Sequence, residues 1–274
     1  MNTQLQVDKE QLIFRGTNKN KGRHISITPD NSAMKHLHYG RIILDKENPS
    51  VSFETKSNEV GLICLSGKAN VRVGNETHEL GRYDSIYIPR DSAVEVTTDE
   101  GVDFVECAAE VEGNYPVQVV RYANVENDGA LKFKTGTDSN SRTINILIGK
   151  NVEAGRILAG VTQSEPGHWT SWPPHEHAAM LEELYVYYDM PAPAFGVQFV
   201  YSNTEEPEIA AVVRDGDAVL MPSGFHPNVS IPGHPINFVW IMAAHREVED
   251  REFGVVTVQP GFDKSGSGLE ASRK

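Results

Sequence analysis

Residues 171–189 read SWPPHEHAAMLEELYVYYD, and the fold turns on how that stretch is read. LEELYVYY is a short apolar run rich in Tyr, Val and Leu. It is too short to hold a helix on its own, and it reads as a strand. Ahead of it, His175 and His177 stand one residue apart behind Pro173 and Pro174, which bias the chain towards extended backbone. Residues two apart on extended chain share a face, so both imidazoles point the same way. Glu182 and Glu183 fall on opposite faces if both lie in the strand. Glu183 has the parity of Tyr185 and Tyr187, the polar-tipped face expected to line a pocket. Glu182 has the parity of Leu184, Val186 and Tyr188. Glu183 is the chosen metal ligand, with Glu182 as the alternative.

Outward from this stretch the same texture continues. RIILD, EVGLICLSG, ANVRVG, SIYIP, AVEVTT, DFVECAA, NILIG, RILAGVTQ, GVQFVY, AVLMP and NFVWIMAA are short alternating runs broken by Gly, Pro, Asn and Asp. They predict an all-β chain of strands about four to eight residues long, with no long amphipathic helix. Many short strands at regular spacing favour a sandwich or barrel. A weak internal repeat sharpens the expectation. GRYDSIYIPRDSAVEV aligns with VRDGDAVLMPSGFHPNV, placing Asp84 against Asp217, Pro89 against Pro222 and Ala93 against His226. Two copies of one β unit follow, residues 1–130 without metal ligands and residues 131–274 with them.

His226, in MPSGFHPN after a Pro-closed strand, completes a set of three imidazoles and a carboxylate, donors suited to a divalent ion. His36 and His38 repeat the His-x-His spacing, but the next acid is Asp45, beyond an apolar strand, so that pair reads as structural. Cys64 and Cys107 sit in apolar runs and read as buried free thiols in a reducing cytoplasm. A net charge of −13 argues against nucleic acid or an anionic membrane as partner. No apolar run reaches membrane-spanning length, and MNTQLQVDKEQLIF lacks a signal-peptide pattern.

At these residues the chain resembles the cupin superfamily and, within it, the 5-deoxy-glucuronate isomerase family of inositol catabolism. GHWTSWPPHEH, LEELYVYYD, GVQFVY, PSGFHPNVSIPG, NFVWIMAAHRE and SRTINILIG carry the likeness, which is dense from Arg142 to Arg246 and thin before it. Two departures stand out. Only Ala178 to Met180 separate His177 from the LEEL run, and EDREFGVVTVQPGFDKSGSGLEASRK does not resemble the family's tail.

The resemblance implies a bicupin, two jelly-roll-like β-barrel domains with one metal in the second, on His175, His177, Glu183 and His226. Zinc is the first expectation, with Mn, Fe or Ni as alternatives. The implied reaction interconverts 5-deoxy-glucuronate and 2-deoxy-5-keto-gluconate. Tyr185, Tyr187 and Gln198 are the candidates for lining the catalytic pocket and orienting hydroxyls. Arg142, Arg214 and Arg246 are candidates for gripping the carboxylate of a sugar acid. The expected setting is a cytoplasmic enzyme with a small-molecule substrate, and a homo-oligomer is left open. The rival readings are a cupin metal-dependent dioxygenase and a non-catalytic sugar-acid-binding cupin.

Overall fold

The alternating runs fold as strands. The computed structural model describes residues 12–262, and within them one five-residue helix, Tyr122–Glu126, interrupts an otherwise β chain. Two strands are far longer than the alternation implies, Asn58–Val73 with 16 residues and Ala93–Glu110 with 18. The sequence reads each as two strands. Gly67 and Gly101 lie side by side at the join, both with positive φ, and a Cβ on Gly67 would stand 2.1 Å from the Gly101 carbonyl oxygen. Without side chains the two strands cross this bend as a pair, and the ladder shifts register around it instead of ending.

The first half builds an eight-stranded sheet, in which Leu37–Leu44, Ala93–Glu110, Asn58–Val73 and Ser85–Ile88 are successive neighbours. The second half builds a seven-stranded sheet whose centre runs Ala218–Met221, Leu181–Tyr187, Asn237–Ala244, Ile157–Ser164, Arg142–Ile148. A four-stranded sheet joins Trp169–Thr170, Asn228–Ser230, Gly196–Val200 and Ile209–Val213. One register recurs. Leu37 and Glu59 flank Ala109, as Ile157 and Glu182 flank Ala243. Val60 pairs with Ile88 as Glu183 pairs with Met221, which carries Asp84, Pro89 and Ala93 onto Asp217, Pro222 and His226. The two aspartates also bond alike. Asp84 accepts from the Gly81 and Tyr122 amides and from Arg121; Asp217 accepts from the Arg214 and Gly16 amides and from Arg15.

One short strand crosses between the halves. Ile13–Phe14 pairs with Ala218–Met221 in the second-half sheet, and Gln118–Val120, just ahead of the second half, pairs with Ser85–Ile88 in the first. The leading segment of the first half thus docks on the second, a contact that a two-residue strand cannot advertise in sequence. Two buried carboxylates reinforce it. Glu59 accepts the amides of Gly155, Arg156 and Ile157 at 2.8, 2.6 and 2.8 Å. Glu182 accepts those of Lys35, His36 and Leu37, each at 2.7 Å.

One apolar core spans both halves, with Tyr39, Ile63, Tyr87 and Cys107 packed in the same cluster as Ile148, Ile157 and Leu158. Gly61 allows the close approach, since a Cβ there would meet Ile148 at 2.7 Å. A second core lies within the first half, around Ile42, Leu62, Cys64 and Phe104. Both cysteines are buried and free. Cys64 and Cys107 belong to different cores, on opposite faces of the same sheet. Among the described residues no helix is long and apolar enough to cross a membrane.

Candidate metal centre and its cavity

Leu181–Tyr187 is an interior strand of the seven-stranded sheet and is buried along its whole length. Its alternation sends Glu182 to the first half, as described, and Glu183 the other way. The Glu183 Oε2 atom lies 3.0 Å from His177 Nε2 and 3.1 Å from His226 Nε2. Donor atoms of His175, His177 and His226 all lie within 4.8 Å of one another. The three imidazoles arrive from different elements. His175 opens the short strand His175–Glu176, His177 follows it, and His226 precedes Asn228–Ser230. The Trp172–Pro173 peptide just ahead is cis.

Hydrogen bonding sets which ring nitrogen faces inward. His175 Nδ1 is 2.8 Å from the Pro173 carbonyl and His226 Nδ1 is 2.9 Å from that of Gly224. A carbonyl only accepts, so both Nδ1 atoms carry the proton and both Nε2 atoms keep a lone pair. His177 Nε2, His226 Nε2 and Glu183 Oε2 are buried without a hydrogen-bond partner. Buried lone pairs facing one another are costly unless a cation stands between them. Three imidazoles and one carboxylate are a donor set that fits a divalent ion. Burial, with help from His226 and His177, pushes His175 down to about 3. Burial works against ionisation of Glu183, but His177 and His226 outweigh it and hold the carboxyl at about 2. At neutral pH both groups are in their ligating forms.

The centre opens on a cavity with two kinds of wall. His175, His177, Glu183, Tyr185, Ser171 and Arg142 supply polar groups, and Ile144, Leu181, Phe238, Trp240, Met242 and Phe253 supply apolar surface. Tyr185 shares a 2.7 Å hydrogen bond with Ser171 Oγ, and burial raises its pKa well above the ordinary phenol value. It is therefore a neutral donor or acceptor at physiological pH. Tyr187 and Gln198, expected to line the pocket, lie behind the centre and are absent from the cavity wall. Tyr187 donates to Gln198 Oε1, and Gln198 Nε2 donates to the His226 carbonyl at 3.0 Å. Their place is to hold the His226 backbone. Of the three arginines, Arg142 lines the cavity. Arg246 is spent on Asp250 and Glu249 at the surface, and Arg214 is exposed away from the cavity.

Comparison with known proteins adds the lineage. A model of the KduI/IolB family matches residues 12–255. The chain belongs to that family. A relative from Geobacillus kaustophilus (strain HTA426), named 5-deoxy-glucuronate isomerase, is 28% identical over 85% of this chain and 89% of its own length. The relative of that name from Bacillus subtilis (strain 168) is 26% identical over 79% of this chain and 84% of its own. Among solved structures, an IolB-like protein of Salmonella typhimurium LT2 superposes with a TM-score of 0.82 at 22% identity, covering 92% of this chain and 98% of that one. A cupin 2 conserved barrel domain protein of Leptotrichia buccalis gives 0.50 at 11% identity, covering 81% and 88%. The fold is shared with these two structures.

The KduI/IolB match stops at residue 255, yet the chain continues around the centre. Phe253, Gly254, Val255 and Val256 close one side of the cavity, with Phe253 stacked on Trp240 at 4.8 Å. Thr257–Val258 then pairs with His175–Glu176, and the Gln259 amide donates to the Pro174 carbonyl at 2.9 Å. The sequence reading missed this cover, whose only signal is Phe253 followed by a Val-rich run. The rest of the atypical tail, from Asp263 on, lies outside the described residues, as do Met1 to Gln11 of the leading stretch.

Proposed function

We propose that this KduI/IolB member is an aldose–ketose isomerase converting 5-deoxy-glucuronate to 2-deoxy-5-keto-gluconate. The observation that carries the reading is the convergence of His175, His177, His226 and Glu183 at a cavity, in a chain whose relatives bear that enzyme's name. The four residues would hold one divalent ion, zinc by first preference, and the ion supplies Lewis-acid stabilisation of negative charge on the sugar's carbonyl and neighbouring hydroxyl oxygens.

The chain's own residues do the rest. Tyr185, kept neutral by burial, donates to a substrate oxygen beside the reacting carbons, with Ser171 fixing its direction. Tyr187 and Gln198 keep the His226 loop in place through its carbonyl. Phe253 to Val256 and the apolar wall exclude water from the reacting end. We also read the chain as a bicupin with the metal in its second unit, near residues 131–262. The recurring register around Ala109 and Ala243 supports that division.

Purified protein loaded with Zn²⁺ and given 5-deoxy-glucuronate should convert its C1 aldehyde signals to those of a C1 hydroxymethyl ketone by NMR. The variant His177→Ala should not. Loss of aldehyde with consumption of oxygen, or no conversion with any divalent ion, would overturn the reading.

A further inference from the structure

Arg142 is a buried cation without an anion. Its side chain lines the cavity, the residue is only 4% exposed, and among the described residues no carboxylate pairs with it. The other buried arginine, Arg41, and the half-buried Arg23 and Arg251 differ. Arg41 pairs with Asp103, and Arg23 with Glu106. Arg251, which also lacks a carboxylate, directs Nε and both Nη atoms to three carbonyls. Arg142 gives one N–H to the Asn140 carbonyl at 2.8 Å and one to the Trp172 carbonyl at 2.7 Å. That leaves three of a guanidinium's five donors without a carbonyl in a residue that lines the cavity. An ion held out of water at this cost is normally matched by an opposite charge.

Placement says which charge. Arg142 opens the strand Arg142–Ile148, three strands across the sheet from Leu181–Tyr187, which carries Glu183 and Tyr185. Arg142, Glu183 and Tyr185 nevertheless line one and the same cavity. The cavity therefore carries a cation at Arg142 and a donor cluster at His175, His177 and Glu183. Ile144, on the same strand face two residues on, lines the wall beside the guanidinium.

Resting on the isomerase reading for the identity of the substrate, we infer that Arg142 is the carboxylate anchor of this site. It binds the acid end of a sugar acid through a charge-assisted, bidentate pair and so delivers the opposite, carbonyl end to the histidine cluster. Arg142 is thus a specificity-determining residue that selects acids over the corresponding uncharged sugars.

The test compares 5-deoxy-glucuronate with 5-deoxy-glucose, which carries a hydroxymethyl group in place of the carboxylate. Wild-type protein, R142M and R142K are assayed for turnover, and both ligands are titrated by calorimetry, with metal content measured in each protein. Wild type should prefer the acid by roughly 100-fold, the scale of a buried charge pair. R142M should lose that preference through KM while handling 5-deoxy-glucose within about threefold of wild type, and R142K should fall between. A purely structural role would lower both ligands together and leave the ratio intact, which overturns the inference. If R142M does not fold or loses metal, the ratio in R142K decides in the same way. Wild type that binds the acid selectively but turns nothing over sinks the isomerase reading and leaves the anchor standing. Wild type that isomerises the acid, with R142M keeping the preference, sinks the anchor alone.

Discussion

The two halves of this chain repeat one strand register and differ in what fills it. Both carry the aspartate turn at Asp84 or Asp217, and both lend a carboxylate to the other's loop. Where the second half has Glu183, Tyr185 and Tyr187, the register puts Val60, Leu62 and Cys64 in the first. Trp240, a wall of the cavity, corresponds to Glu106, which Arg23 grips through two 2.7 Å bonds while its guanidinium lies over Phe53. The histidine pair has no counterpart at all. Ser52 pairs with Glu95, as Thr170 pairs with Asn228, but Glu59 follows Ser52 by seven positions and Glu182 follows Thr170 by twelve. The extra chain is the segment with His175 and His177. A site is thus present or absent through a loop and a handful of inward side chains, while the backbone frame stays constant.

The sharpest way to break this comparison is to count metal. One ion per chain is expected, and Glu183→Gln should lose it, with turnover falling roughly 10²–10⁴-fold, the scale of several kcal/mol of lost charge stabilisation. Glu182→Gln should keep it. Two ions per chain, or loss of metal in Glu182→Gln only, would mean the halves have been assigned wrongly. Next in size, Glu59→Gln and Glu182→Gln should each destabilise the protein by about 2–4 kcal/mol, because each strips charge from a carboxylate bonded to three buried amides. Denaturant midpoints differing widely between the two variants would break the symmetry.

A third contrast lies within one strand. Tyr185→Phe should lower kcat about tenfold with little change in melting temperature, whereas Tyr187→Phe should cost about 1 kcal/mol of stability and act on turnover only through His226. The reverse pattern would put Tyr187 at the substrate. The smallest effect concerns the seam. Burial lowers the pKa of His36 and of His38 below 6.5, where the second half has Arg156 and Leu158. Below about pH 6.5 the unfolded chain takes up protons that the folded chain refuses, so stability falls as pH falls. Melting temperature should drop between about pH 7.5 and about pH 5.5, less steeply in a His36→Asn/His38→Asn double variant. A melting temperature that rises on acidification would exclude this linkage.

Much of the frame was legible in the sequence because strand alternation and turn chemistry are local. Parity separated Glu182 from Glu183, and the Asp and Pro positions of the two turns gave the offset that the ladders repeat. Parity says which face a residue takes but not how far across the sheet the cavity extends. Tyr187 and Gln198 were therefore legible as polar and inward, but not as lying behind the centre. Arg142 begins an ordinary strand, and its isolation from carboxylates is a property of folded neighbours alone. Ile13–Phe14 and Thr257–Val258 are too short to show a period, so neither the docking of the first strand on the second half nor the cover over the cavity had a local signature.

The two reciprocal carboxylates have a consequence for how freely the chain can be recombined. Glu59 and Glu182 are directed at main-chain amides, so the bonds themselves ask for no particular side chain at Lys35, His36 or Arg156, while Leu37 and Ile157 are held by the shared core and Gly155 by its closeness to Val111. Those three positions can drift in sequence without loosening the joint, provided no proline removes a donor. A chimaera that takes its first half from this chain and its second from a distant relative would keep the joint intact wherever the two acids and the loop lengths are retained. The joint is addressed to backbone, and backbone is the one part of the molecule that substitution leaves unchanged.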